Sequence, residues 1–166
     1  IAQLALATGD TVHLGVLEND SALYLDKIPG SRRIEISSRI GERQPLSSTG
    51  LGKALLLDHT KAQLEAIYNQ EQSQYHTNLE SWLARMEVYS RQGCAFDLEE
   101  NEDRIRCVAA PIRNAGDKII GSISVASAAQ YMDDNRMSEL RESVIATANA
   151  ISSEYGWQDR SVKNNS

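Results

Sequence analysis

RCVAAPIRNAGDKIIGSISVAS, residues 106–127, sets two apolar runs on either side of Asn114-Ala115-Gly116-Asp117. Strand-like runs flanking an Asn/Gly/Asp turn are the local signature of a β-hairpin. A second hairpin is predicted nearer the start, where TVHLGVL (11–17) and ALYLDKI (22–28) flank Glu18-Asn19-Asp20. Hairpins at both ends make the pairing mostly antiparallel, because a parallel pair needs a long crossover. The expected fold class is therefore α+β, with about six strands backed by helices, and not a doubly wound parallel sheet.

Between the hairpins the spacing predicts further elements. RIEISSRI (33–40) alternates, with Ile34, Ile36 and Ser38 on one face, and is read as a third strand after the break at Pro29-Gly30. Gly41 to Ser48 is read as a loop, and a helix begins near Thr49 with Ala54, Leu55 and Leu56 inward. Helical spacing recurs over 61–68 and 79–92, joined by the polar connector NQEQSQYHT, and Gly93 ends the second helix. CAFDLEENEDR (94–104) is a short strand running into an acidic loop. A long amphipathic helix closes the chain, capped by Asp133 or Asp134, with Met137, Leu140, Val144, Ile145, Ala148 and Ile151 along one side.

A chain of 166 residues with 41% hydrophobic and 24% charged side chains can bury one good core. One domain is expected over 1–157, with a frayed polar tail at 158–166. No apolar run approaches a membrane span, and the start lacks the basic flank of a signal peptide. The cysteines, Cys94 and Cys107, suit a reducing, cytoplasmic setting with free thiols, although spacing alone leaves a disulfide open. A net charge of −6 without basic clusters is a poor nucleic-acid surface, since phosphate neutralisation dominates such affinity. Ile1 falls inside a helical pattern with no start signal ahead of it, so a longer chain is expected to precede it.

PLSSTGLGKALLL (45–57) places Gly50, Gly52 and Lys53 at a helix entrance, but Ala54 stands where a P-loop needs Ser or Thr, and Ser47 stands where it needs the first glycine. A nucleotide cradle is rejected. The entrance still offers free N–H groups to a carboxylate, against the plainer reading of a Ser48 or Thr49 cap with glycines relieving crowding. In FDLEENEDRIRC (96–107) the acidic residues read as a solvated loop, with Asp97 set apart at a strand end. Asp97, Cys107 and a histidine could hold a metal only if His13, His59 or His76 came alongside, and no ligand spacing predicts that. Cys107 reads as a small buried hydrophobe, and no G-x-S-x-G elbow exists. Ser122 and Ser124 put hydroxyls on one face of the strand GSISVAS.

Taken in order, TGDTVHLGVL, SRIGERQPLSSTGLGKALLL, FDLEENEDRIRCVAAPI and DKIIGSISVAS resemble the effector-binding half of the IclR family of bacterial transcription regulators. The second segment is most similar to members that sense 2-keto-3-deoxygluconate. The resemblance implies a GAF-like fold, a homodimer or homotetramer, and DNA contact only through an N-terminal winged helix-turn-helix outside this sequence. It implies no enzyme activity and no cofactor or metal, but a pocket for a small acid, preferably a sugar or keto acid. Its carboxylate would rest on the Gly50 and Leu51 amides, with Asp97, Cys107 and Ser124 as polar contacts and Ile36 as an apolar wall. Three positions depart from the family pattern: Ala126 replaces a second pocket serine, Arg104 a common glycine, and Arg33 an apolar residue, from which it could reach a larger ligand. The competing reading is a GAF-fold thiol enzyme that reduces methionine sulfoxide through Cys107, which would require an exposed thiolate.

Overall fold

The computed structural model describes residues 1–71 and 77–159. Part of the predicted connector, with His76, and the predicted tail from residue 160 onward lie outside the described residues. The chain forms α1 (Ala2–Thr8), β1 (Thr11–Glu18), β2 (Ser21–Ile28), β3 (Arg43–Gln44) and α2 (Gly50–Leu55). Then follow α3 (Lys61–Glu71), α4 (Leu79–Gln92), β4 (Ala95–Leu98), β5 (Ile105–Arg113), β6 (Ile119–Ala128), a 3-10 turn and α5 (Asp134–Glu154). The strands make one six-stranded sheet in the order β3-β2-β1-β6-β5-β4, every pair antiparallel. The α+β expectation holds.

Both hairpins form where the turn chemistry placed them. Asn19 and Asp20 take φ of 45° and 61°, the left-handed pair that a two-residue turn between twisted strands requires. At the other hairpin the Asn114 side chain accepts from the Gly116 and Lys118 amides at 3.0 and 3.1 Å, and Asp117 sits at φ 63°. Gly93 ends α4 at φ 69°, and the Asp133 carboxylate caps α5 through the Arg136 amide at 2.9 Å.

The sheet is packed on both faces. Val12, Val108, Ala110, Ile112, Ile123 and Val125 face α1 and α5, where Leu4, Met137, Leu140, Val144 and Ala148 close the core. On the other face α2 and α4 bury Leu51, Ala54, Leu55, Trp82, Met86 and Tyr89 against Ala22, Ala95 and Ala109. Side chains alternate along β5 and β6, so each large apolar residue toward α5 is matched by Cys107, Ala109, Ser122, Ser124 or Ala126 toward α2.

One predicted element is corrected. Residues 33–40 form no strand, although Ile36 is buried between exposed neighbours. The edge of β2 is paired instead by Arg43 and Gln44, inside the predicted loop. Side chains hold the segment: the Lys27 ammonium donates to the carbonyls of Ile36 and Ser38, the latter at 2.7 Å, and His13 Nε2 lies 2.6 Å from Ser38 Oγ. Arg32 anchors its start on buried Asp10 at 2.7 Å. Alternating apolar residues report one side turned inward, and that is satisfied here without a ladder.

Candidate functional site

Thr49 is the N-cap of α2: its Oγ accepts from the Gly52 amide at 3.0 Å. Just upstream, the Leu46 and Ser47 amides receive the carboxylate of Glu71 at 2.6 and 2.8 Å, so this turn already binds one carboxylate of the protein itself. Among the described residues nothing accepts from the amides of Gly50 and Leu51, the first two of α2. The glycines answer to packing as well. A Cβ on Gly50 would lie 3.0 Å from Cys107 Cβ and 3.6 Å from Asp97 Cβ, and one on Gly52 would lie 2.6 Å from Leu46 Cα. Close approach of α2 to the sheet and to its own entry turn therefore requires both.

Between the α2 entrance, the sheet and the 31–40 segment lies a cavity of about 50 Å³. Its lining brings together Gly50, Leu51, Asp97, Cys107, Ser124 and Ile36, the residues singled out in the sequence, from five separate parts of the chain. Antiparallel register does most of this: Asp97 pairs with Cys107, Cys107 with Ala126, and Ser124 with His13. Ala126 contributes a methyl group to the wall, and Ser124 Oγ bonds no described group. Ile36 lines the cavity from the 31–40 segment. Arg33 is exposed and outside the lining, so it does not serve this cavity. Arg104 is exposed as well and adopts φ 63°, the left-handed backbone that a glycine takes without strain.

Electrostatics set the chemistry. Asp97 is 2% exposed; burial pushes its carboxyl up to about 6, against the pull of Lys53 and the Glu100 amide, which donates to Asp97 Oδ1 at 2.8 Å. Lys53, which had suggested a phosphate site, is fully buried and turned away: its Nζ donates to Phe96 O at 2.8 Å and to Glu100 at 2.7 Å. It thereby fastens the acidic turn beside the cavity. Burial, then the Asp97 charge, push the Cys107 thiol well up, and burial pushes Cys94 up to about 12. Both cysteines are free thiols, and the two belong to opposite faces of the sheet. Neither is a low-pKa thiolate of the kind that sulfoxide reduction needs. Among the described residues no cluster of three metal-ligating side chains occurs, and no helix is long and apolar enough to cross a membrane.

His13, Tyr24, Ser38, Gln44 and Asn101 also line the cavity and were missed in the sequence. A usable signal existed: in TVHLGVL the face opposite Val12, Leu14 and Val16 reads Thr11, His13, Gly15, small or polar like the Ser122, Ser124, Ala126 face of β6. Two central strands with polar inward faces imply a cavity or a wet layer rather than a dry core.

A six-stranded antiparallel sheet with helices on both faces is the architecture of a GAF-like α+β domain. The family model described as bacterial transcriptional regulator IclR C-terminal matches residues 1–153. The chain belongs to the IclR family, and corresponds to its C-terminal domain. It is 34% identical over 164 residues to the HTH-type transcriptional regulator XynR of Escherichia coli K12, covering 95% of this chain and 64% of that protein. Identity to the HTH-type transcriptional regulator KdgR of the same organism is 32% over 162 residues, covering 95% and 62%. The chain thus spans a little under two thirds of the length of these relatives. The crystal structure of the C-terminal domain of E. coli KdgR superposes with a TM-score of 0.79 at 28% identity, covering 93% of each chain.

Proposed function

We propose that this domain is the effector sensor of an IclR-type transcription regulator, and that the cavity at the α2 entrance binds a small organic acid. The observation that carries the reading is chemical. One cavity combines the Gly50 and Leu51 amides, which have no partner among the described residues, with the Ser124 hydroxyl and the Asp97 carboxyl. A carboxylate rests on the amides as Glu71 rests on those of Leu46 and Ser47, and Asp97 and Ser124 take its hydroxyl or keto end. In the form described the space suits a compact acid, whereas a sugar acid requires the 31–40 strap to lift Ile36 away. DNA binding belongs to a winged helix-turn-helix outside this sequence, and the domain works in a homo-oligomer. Ligand changes DNA affinity only to the extent that it prefers one arrangement of that oligomer.

The test is thermal shift of this domain against hydroxy, keto, sugar and aromatic acids. At 100 times Kd a ligand adds about 2.7 kcal/mol, or roughly 5–10 °C in Tm for a domain of this size. A dose-saturating rise with one class supports the reading. No rise with any acid refutes it.

A further inference from the structure

One wall of the cavity is attached differently from the rest. Most lining residues sit on the sheet, at the α2 entrance or in the acidic turn, whereas Ile36, Ser37 and Ser38 come from the 31–40 segment. Apart from a local turn between Arg39 and Glu42, that segment bonds backbone to backbone only at its two ends. The Ser31 amide donates to Gly9 O at 3.0 Å, and the Gly41 amide donates to Tyr24 O at 2.8 Å. Among the described residues the amides of 32–38 donate to nothing, and Ile36 is the one buried side chain of the segment. Few buried contacts and unpaired backbone mark a segment of low local stability. Its middle is held instead by Lys27 of β2, which is outside the lining. The Lys27 ammonium donates to Ile36 O and to Ser38 O, the latter at 2.7 Å, and so clamps the three residues that the segment contributes to the cavity. The ends differ. A Cβ on Gly30 would lie 2.4 Å from Gly9 O, and Arg32 is fixed on Asp10 at 2.7 Å. Gly41, at φ 84°, has nothing within 4 Å of where its Cβ would be, so this end is free to turn.

We propose that residues 31–40 are a movable wall that sets the size of acid the site admits, with Lys27 as the latch that holds this wall on the sheet. This rests on the cavity being the acid site. Latched, the space of about 50 Å³ holds roughly four waters at ~10–15 Å³ each, which matches an acid of two or three carbons. Unlatched, the wall carries Ile36 outward and a six-carbon sugar acid fits. A large acid therefore binds only the unlatched fraction of the protein, and its apparent affinity is reduced by that fraction. Lys27 touches no ligand in this scheme and acts through the wall alone.

The experiment compares the wild type with Lys27→Met, which keeps the stem and removes the donors, in two measurements. The first uses no acid. Cys107 lines the cavity and Cys94 is buried in the core on the other face of the sheet, so the two free thiols report opening of the wall and unfolding of the domain. N-ethylmaleimide is too large for the latched cavity, and peptide mass spectrometry reads its rate at each cysteine. Labelling follows the open population when opening and closing outpace the reaction. Losing a hydrogen bond from a charged donor shifts an equilibrium by about tenfold or more, so Lys27→Met should raise the Cys107 rate about tenfold relative to that of Cys94. The second measurement is calorimetry with gluconate and glycolate, in which the ratio of gluconate to glycolate affinity should rise about tenfold in the variant. A Cys107 to Cys94 rate ratio, or a gluconate to glycolate ratio, that stays within about twofold of the wild type overturns the inference and leaves the acid site standing. Failure of both acids to bind either protein overturns the acid site and the inference together.

Discussion

Asp97→Asn tests the electrostatics of the site through stability. Asp97 is 2% exposed, and burial raises its carboxyl from the ordinary 3.8 to about 6. The folded protein therefore holds a proton between about pH 4 and pH 6 that the unfolded chain has already released. Stability must fall as pH rises across that window and level off above it. At 1.36 kcal/mol per tenfold, the full contribution is about 3 kcal/mol. Asparagine cannot ionise, and its carbonyl keeps the bond from the Glu100 amide. The variant should match the wild type near pH 4 and exceed it by about 1–3 kcal/mol at pH 7, while losing acid binding. A site residue that destabilises its own fold is a common cost of function. Urea denaturation of both proteins at pH 4, 5, 6 and 7 gives the difference directly, with the other carboxylates cancelling. A difference that is flat with pH, or a variant less stable at pH 7, refutes the assignment of a buried charge at the cavity.

Lys53→Met leaves Glu100 buried with Arg85, 3.5 Å away, and the Leu98 amide, at 3.3 Å, for compensation. It should cost about 3 kcal/mol in urea denaturation, and the Lys53→Met/Glu100→Gln double variant should recover much of that loss. Arg104→Gly should raise stability by about 0.5–1 kcal/mol, because Arg104 adopts φ 63° and among the described residues its hydrogen bonds are made by the backbone alone; thermal denaturation reads this. Gly50→Ala aims a methyl group at Cys107 Cβ, 3.0 Å away, beside the cavity, and should abolish the acid-induced Tm rise with the far-UV spectrum unchanged.

What could be read in the sequence was what local chemistry decides. The turns at Asn19-Asp20 and Asn114 to Asp117, the Gly93 stop and the Thr49 and Asp133 caps each depend on residues within a few positions, and each is found as expected. The run at 33–40 was read as a third strand with Ile36 on one face; Ile36 is buried, but whether such a run joins a sheet depends on a partner edge. Arg43 and Gln44 took that edge. His13 was visible only as an isolated histidine because its neighbours in the cavity, Ser124 and Ser38, lie 111 and 25 positions away (124 − 13 and 38 − 13) and meet it through sheet register and a crossing strap.

The stretch TGLGK shows how one motif divides its duties. Its glycines look like a phosphate cradle, yet a Cβ at Gly50 would press on the sheet and one at Gly52 on the turn, so packing alone accounts for both. Its lysine looks like a phosphate ligand, yet the ammonium is bound to Phe96 O and Glu100. What remains for a ligand is the part the side chains do not encode, the Gly50 and Leu51 amides, which have no acceptor among the described residues. With the lysine committed elsewhere, the described lining residues include no Lys or Arg, and Asp97, Glu102 and a neutral His13 stand there instead. A phosphate, with two negative charges to neutralise, gains little in such a place. A single carboxylate needs only the two amides, and its hydroxyl end finds acceptors. The residues that argue against a nucleotide are therefore the same ones that suit the proposed acid site.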